Sequence, residues 1–261
     1  MLRKWDIPEY RVLEFFPRRS KYCVCVFVIN EGERIRMQLE KMKFLSCNVD
    51  IIIADGGSSD GSLNEKYIQA LGIRSLLTKI GSGKLSAQMR MAFAYVLENE
   101  YEGVVIIDGN NKDNPAAIPF FFASLEEGFD HIQGSRFILG GHEENTPLMR
   151  RIGVRFLHAP LISCVAGYHY TDTTNGFRAY SRQFLLDFRV QPFREVFQTY
   201  ELHYYLAIRA GQLGFKIKEI PVSRVYPKKG MVPTKISPIK GNLRILKILL
   251  EACFHRFDPK E

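Results

Sequence analysis

The sequence predicts an α/β fold: a mostly parallel central sheet flanked by helices, followed by a C-terminal amphipathic helical segment. Three observations carry this. Val104-Val105-Ile106-Ile107 is an unbroken β-branched run, the mark of a strand buried on both faces. It closes on Asp108-Gly109-Asn110-Asn111, and two other apolar runs, Cys23 to Ile29 and Val49 to Ala54, also close on polar turns. Stretches with helical spacing lie between them, and strand, polar loop, helix, strand is the pattern of crossover connections in a parallel sheet.

In chain order, residues 1–21 read as an N-terminal extension docked through Trp5, Tyr10, Phe15 and Phe16. Residues 22–242 form the main domain and 243–261 a C-terminal amphipathic helix. After the first strand, Asn30 is placed to cap a helix over about Glu33 to Lys43. Gly81-Ser82-Gly83-Lys84 precedes a helix over Leu85 to Asn99, with Leu85, Met89, Ala92, Phe93, Val96 and Leu97 near helical spacing. Asn114-Pro115 opens a further helix, about Ala116 to Glu127, expected to bury Phe120, Phe121 and Leu125. His131 to Gln133 is a short strand. Met149 to Cys164 and Leu243 to Phe257 mix cations with large apolar groups, a pattern that fits core packing and a membrane surface alike. Val222 to Pro238, rich in Pro, Gly and Lys, reads as a mobile loop able to close over anionic groups.

Composition narrows the partners. The 261 residues carry 36 Lys and Arg against 28 Asp and Glu, a net charge of +8, which suits an anionic partner such as nucleic acid, a nucleotide sugar or an acidic membrane surface. Nucleic acid is not expected, because aromatic and basic residues do not interleave in any known nucleic-acid motif. No signal peptide opens the chain, and no uncharged apolar stretch is long enough for a transmembrane helix. The five cysteines, Cys23, Cys25, Cys47, Cys164 and Cys253, lack zinc spacing and are expected as core thiols of a reducing compartment.

Candidate chemistry gathers at strand ends, where open α/β sheets bind ligands. Asp108 and Asn110 are oxygen ligands one residue apart, suited to a hard divalent cation that also holds phosphate oxygens; a plain polar turn explains them equally. The glycine-rich loop Asp55 to Ser62 has neither the GxGxxG order nor a P-loop lysine, and a tight turn with a helix cap is its alternative. An acidic residue nevertheless recurs at a strand end, Asp55 and then Asp108, and two such carboxylates can face one crevice. Lys84, at a glycine-rich helix start, is placed for a phosphate.

Ordered motifs sharpen this. Val28-Ile29-Asn30-Glu31 is similar to a "P-x-x-N-E" signature without its proline. Ile51 through Asp55-Gly56-Gly57-Ser58-Ser59-Asp60-Gly61-Ser62 is similar to "VDDGSTDGT", and Asp108-Gly109-Asn110 stands where a DxD motif is expected. Gly134-Ser135-Arg136-Phe137 looks like "GSRY", and Thr171-Asp172 through Gly176-Phe177-Arg178 like "TD…SGFR". Tyr200-Glu201 and Lys218-Glu219-Ile220-Pro221-Val222 look like later "E" and "EVPI" segments. Together, over about Tyr22 to Asn242, they resemble the family-2 glycosyltransferases of the GT-A type. The nearest branch is that of dolichol-phosphate mannose synthase and the bacterial polyprenyl-phosphate sugar transferases.

The resemblance implies a GT-A (nucleotide-diphospho-sugar transferase) fold and an inverting transfer of sugar from a nucleoside-diphosphate sugar, UDP preferred over GDP, to a polyprenyl phosphate. Asp55 would hold the base, with Asn30, Glu31, Gly57 and Ser58 nearby. Asp108 and Asn110 would place Mg²⁺ or Mn²⁺ on the diphosphate, with Gly109 beside the bound donor. Asn110, neutral where the family has Asp, implies weaker metal affinity or partial replacement of the ion by Lys112. Arg136, Arg151 and Arg155 would meet the acceptor phosphate, and Lys228, Lys229 and Lys235 would close on the leaving diphosphate. If the acceptor were a saccharide hydroxyl, Asp172 or Glu201 would be the base. Peripheral attachment to the inner face of the membrane, through Met149 to Cys164 and Leu243 to Phe257, is expected for a cytoplasmic protein of this kind. A catalytically inactive nucleotide-sugar-binding protein is the alternative, and a homo-oligomer is left open.

Overall fold

The computed structural model describes residues 5–45, 48–228 and 240–259. The chain opens with strand β1 (Tyr10–Glu14), then β2 (Tyr22–Val28), helix α1 (Glu33–Met42), β3 (Asp50–Asp55), α2 (Glu65–Ala70), β4 (Ser75–Lys79), α3 (Leu85–Glu98) and β5 (Gly103–Asp108). A 3₁₀ turn (Pro115–Ala117) leads into α4 (Ile118–Glu126), followed by β6 (His131–Ser135) and β7 (His142–Glu144). Next, α5 (Leu148–Gly153) runs through a π-helical turn (Val154–His158) into α6 (Ala159–Ala166). The chain continues with β8 (Arg178–Ser181), α7 (Arg182–Leu186), α8 (Glu201–Gln212), β9 (Ile217–Pro221), β10 (Ser223–Val225) and α9 (Lys240–Cys253).

Eight strands form one sheet in the order β1-β4-β3-β2-β5-β8-β6-β9. The centre, β4-β3-β2-β5, is parallel, as the fully buried apolar runs predict, and β8 inserts antiparallel between β5 and β6. One face packs on α3, α6, α8 and α9, the other on α1, α2 and α4. The N-terminal extension, described from Trp5, does more than dock. Its strand β1 pairs antiparallel with β4 as the outer edge of the sheet, while Trp5 stacks on Phe193 with ring centroids 4.2 Å apart.

Several local expectations are corrected. Asn30 does not cap α1; its backbone is left-handed (φ 47°), and its side chain accepts from Ser59 N at 2.8 Å, tying the β2 end to the next loop. Phe120 is 63% exposed, because Ile118, Phe121 and Leu125 at i, i+3 and i+7 already set the inward face of α4. Cys164 is exposed, whereas Cys23 and Cys25 are buried on one face; Cys47 lies outside the described residues. The start of the expected mobile loop is ordered: β10 pairs parallel with β7, and Arg224 and Tyr226 are buried.

Candidate active site

The parallel strands end at a cleft of about 860 Å³. One side presents Asn30, Glu31, Gly56, Lys79, Lys84 and Gln88, the floor Asp108 and Asn110, and the other side Arg136, Arg150, Arg224 and Tyr226. Beyond the cations the lining turns apolar at Met149, Val154, Leu157, Ile245 and Leu246, between the α5–α6 helix and α9. The cleft is thus lined in part by polar and cationic groups and in part by apolar ones.

The paired carboxylates do not converge as expected. Strand register sets Val28 beside Asp55 and Phe27 beside Asp108. Successive side chains on a strand leave opposite faces, so Asp55 and Asp108 share an edge of the sheet but not a face. Asp55 is turned into its own loop, accepting from Ser58 N at 2.9 Å and Ser58 Oγ at 2.6 Å, and burial raises its pKa. Neither Asp55, Gly57 nor Ser58 lines the cleft; Gly56 does. Gly109 also faces away, since a Cβ there would meet Val28 Cγ2 at 2.8 Å and Ile35 Cδ1 at 2.9 Å.

Asp108 is the centre of the site. Arg224 Nη2 lies 3.2 Å from its Oδ2, and Asn110 Nδ2 donates to the same oxygen at 3.2 Å. Burial opposes its ionisation, but Arg224 and Lys112 outweigh burial and hold the carboxyl below its usual range. The other Arg224 nitrogen, Nη1, pairs with buried Asp113 and donates to Asn175 Oδ1 at 3.2 Å. Burial, aided by Arg224, brings the Lys112 amine down to about 8, and its Nζ stands 5.2 Å from the Tyr226 ring centroid. Tyr226 is pulled down to about 8: burial alone would raise it, but Arg224, Arg150 and Arg136 prevail. His203 also lines the cleft; burial and then Arg178 lower it to about 3, so it is a neutral imidazole.

These residues do not fit a divalent ion well. Asn110 has both amide atoms engaged: its Oδ1 accepts from Lys112 N at 3.2 Å, which fixes its Nδ2 toward Asp108. The carboxamide expected as a metal ligand is thus tied within its own turn. Among the described residues, no three His, Cys, Asp or Glu side chains are grouped to hold a metal.

The arginine assignments change as well. Arg136 is in place, 4% exposed and gripped by Asp172 through Nε at 2.6 Å and Nη2 at 2.9 Å, while its Nη1 is buried without a hydrogen-bond partner. Arg151 instead pairs with Glu143 at 2.6 Å, and Arg155 stands over Phe137; neither lines the cleft. Arg150 does, donating to Tyr226 OH at 3.2 Å. The two candidate bases are both committed. Asp172 is fully buried against Arg136, and Glu201 accepts from Thr199 at the start of α8. Lys228 is exposed and 3.8 Å from Glu144; Lys229 and Lys235 lie outside the described residues.

Arg224 and Tyr226 were missed although a signal existed: Arg224 lies on β10 and Tyr226 directly follows it, so the alternation of an extended chain puts the two on one side. Arg178 secures the opposite wall, donating to the carbonyls of Asn175 at 3.0 Å, Thr173 at 2.7 Å and His203 at 2.6 Å.

No protein-family model matches the chain. Among curated proteins, the glycosyltransferase AglJ of Haloferax volcanii is 24% identical over 90% of this chain and 73% of its own length. A dolichyl-phosphate hexose transferase of the same organism is 30% identical over 61% of this chain and 65% of its own. The fold matches glucosyl-3-phosphoglycerate synthase of Mycobacterium tuberculosis, solved with Mn²⁺, UDP and glucosyl-3-phosphoglycerate. The TM-score is 0.60, with 18% identity over 92% of this chain and 81% of that one.

The fold is that of the GT-A glycosyltransferases, and the sequence is similar to proteins named as glycosyltransferases. That solved structure displays the same α/β scaffold, and Asp55 and Asp108 of this chain stand at strand ends of the scaffold. Among the described residues of this chain, no helix is long and apolar enough to cross a membrane.

Proposed function

We propose that this transferase moves a sugar from a nucleoside-diphosphate sugar, a UDP-sugar for preference, to a polyprenyl phosphate, in the synthesis of surface glycans. The observation that carries the reading is that one cleft is lined both by the cations Arg136, Arg150 and Arg224 and by apolar Met149, Leu157 and Leu246. A lipid phosphate has the matching two halves. Curated relatives named for dolichyl-phosphate hexose transfer and polyprenol monophosphomannose synthesis support the same acceptor class.

The chemistry asks little of a base. A phosphate oxygen, already anionic at neutral pH, attacks the anomeric carbon as the bond to the diphosphate oxygen breaks. The electron pair leaves on the nucleoside diphosphate and the configuration inverts. Arg136, braced by Asp172, and Arg150, braced by Tyr226, would orient the attacking phosphate through forked hydrogen bonds. A saccharide hydroxyl would need a base within reach. The commitment of Asp172 to Arg136 and of Glu201 to Thr199 weighs against that acceptor.

Membrane attachment follows from the same reading. The α5–α6 helix, α9 and the turn after it expose Met149 (77%), Phe156 (76%), Leu243 and Phe254, interspersed with Arg151, Arg155, Arg244 and Lys247. Apolar groups ringed by cations suit reversible binding to an anionic surface, at about 1 kcal/mol per cation.

The test incubates labelled UDP- and GDP-sugars with polyprenyl phosphate, the unphosphorylated polyprenol or free saccharides, and then partitions the products. Label should enter the organic phase with the phosphate alone. Label in the saccharides would favour the hydroxyl acceptor.

A further inference from the structure

Asp108 and Asp113 are two acidic groups of one turn, and the space between them is filled by a side chain of the protein. The guanidinium of Arg224 contacts both, Nη2 toward Asp108 and Nη1 toward Asp113. Its position is fixed by backbone as well as charge. Residue 224 forms an antiparallel bridge with 113, Asn114 N donates to Ser223 O at 3.1 Å, and Val225 N donates to Lys112 O at 2.8 Å. The strand that carries Arg224 is therefore stitched to the turn that carries Asp108.

We infer that the chain supplies its own counter-ion for the donor's diphosphate, Arg224 with Lys112 beside it, so that nucleotide binding does not depend on a divalent metal. The inference rests on the donor class proposed above and names what holds the donor's charged centre. A hard divalent ion needs several oxygen ligands to replace its water shell. Here the two carboxylates of the turn, Asp108 and Asp113, are already engaged by Arg224, in a region where Lys112, Arg136, Arg150, Arg178 and Arg224 outnumber Asp108, Asp113 and Asp172. For a diphosphate the balance reverses, since it is drawn by the excess of positive charge.

The experiment measures binding of UDP and of GDP to the intact chain by calorimetry, once in excess EDTA and once in Mn²⁺. Comparable affinity in the two buffers is expected for the nucleotide that binds. Lys112→Met and Arg224→Met should each weaken binding about tenfold or more in both buffers, the value of a lost charge-assisted hydrogen bond. Arg224→Met strips buried Asp113 of its partner and can compromise folding; the wild-type comparison and Lys112→Met do not depend on it. Binding lost in EDTA and restored by Mn²⁺ would overturn the inference while leaving the donor class intact. Absence of binding in either buffer would remove the donor class itself, and the inference with it.

Discussion

Arg224 Nη2 lies 3.2 Å from Asp108 Oδ2, so the carboxylate at the tip of the central strand already holds a cation before any ligand arrives. The relation joins two distant parts of the chain, a strand end and a segment that reads in sequence as a loop. It gives the cleft its character: an anion entering meets a pre-arranged set of cations, among them Arg136 and Arg224 braced by carboxylates and Arg150 by a ring hydroxyl.

The bracing yields a contrast between neighbouring arginines. Arg150→Ala should raise the acceptor KM about tenfold or more, as expected for loss of a charge-assisted phosphate contact, with donor KM little changed. Arg151→Ala removes only a half-exposed pair with Glu143 and should leave both constants near wild type. Initial rates at varied acceptor concentration decide between the two positions.

Asp172 serves as a positioning residue for Arg136. Asp172→Asn should raise the acceptor KM more than it lowers kcat, and the pH profile of kcat should keep its shape. Stability should fall too, because the change leaves a buried guanidinium uncompensated, a loss of up to about 3–5 kcal/mol. Disappearance of an ionisation from the kcat profile would restore Asp172 as a base.

Gly176 gives Asp108 its room. A Cβ at that position would stand 2.9 Å from Asp108 Oδ1, closer than side-chain carbons pack. Gly176→Ala should therefore displace the carboxylate and cut turnover with the fold retained, as measured by sugar transfer alongside circular dichroism. Full activity would show that the carboxylate's placement is tolerant.

Acid stability should be limited by buried imidazoles. His131 is fully buried with both ring nitrogens unpaired, and burial, helped by Arg178, lowers it from 6.5 to about 3. Between those values the unfolded chain takes up a proton that the folded chain refuses. Stability is thus intact above about pH 6.5 and declines as pH falls toward 3, by roughly 1 kcal/mol per pH unit for one such group. His131→Phe, in a pocket of Tyr170, Tyr180 and Phe184, should flatten the decline, read as thermal midpoint against pH. An unchanged slope would assign it to other groups, with His203 the next candidate.

The fold was legible wherever local pattern and burial agree. The β-branched runs became β2, β3 and β5, and the Gly81-to-Lys84 turn opens α3. The site was legible in part. Asp108 and Arg136 stand where the motifs put them, since a strand end and its register fix such positions. Asp55 was misjudged because alternation along β3 sends its side chain to the other face, and alternation matters only once pairing is known. Arg150 was passed over for Arg151 and Arg155 because the phase of a helix that contains a π-helical turn cannot be read from spacing. Arg224 was hidden in a stretch whose prolines, glycine and lysines suggest mobility, while its short strand depends on a partner, His142–Glu144, eighty residues away.

The most direct measurement of the account is sugar transfer to polyprenyl phosphate by wild type and by Asp108→Ala at matched protein concentration. Loss of a charge at the reacting centre should lower the rate by about 100-fold or more, with an unchanged thermal midpoint. Wild-type rates from Asp108→Ala would contradict the claim that the reaction takes place at this strand end.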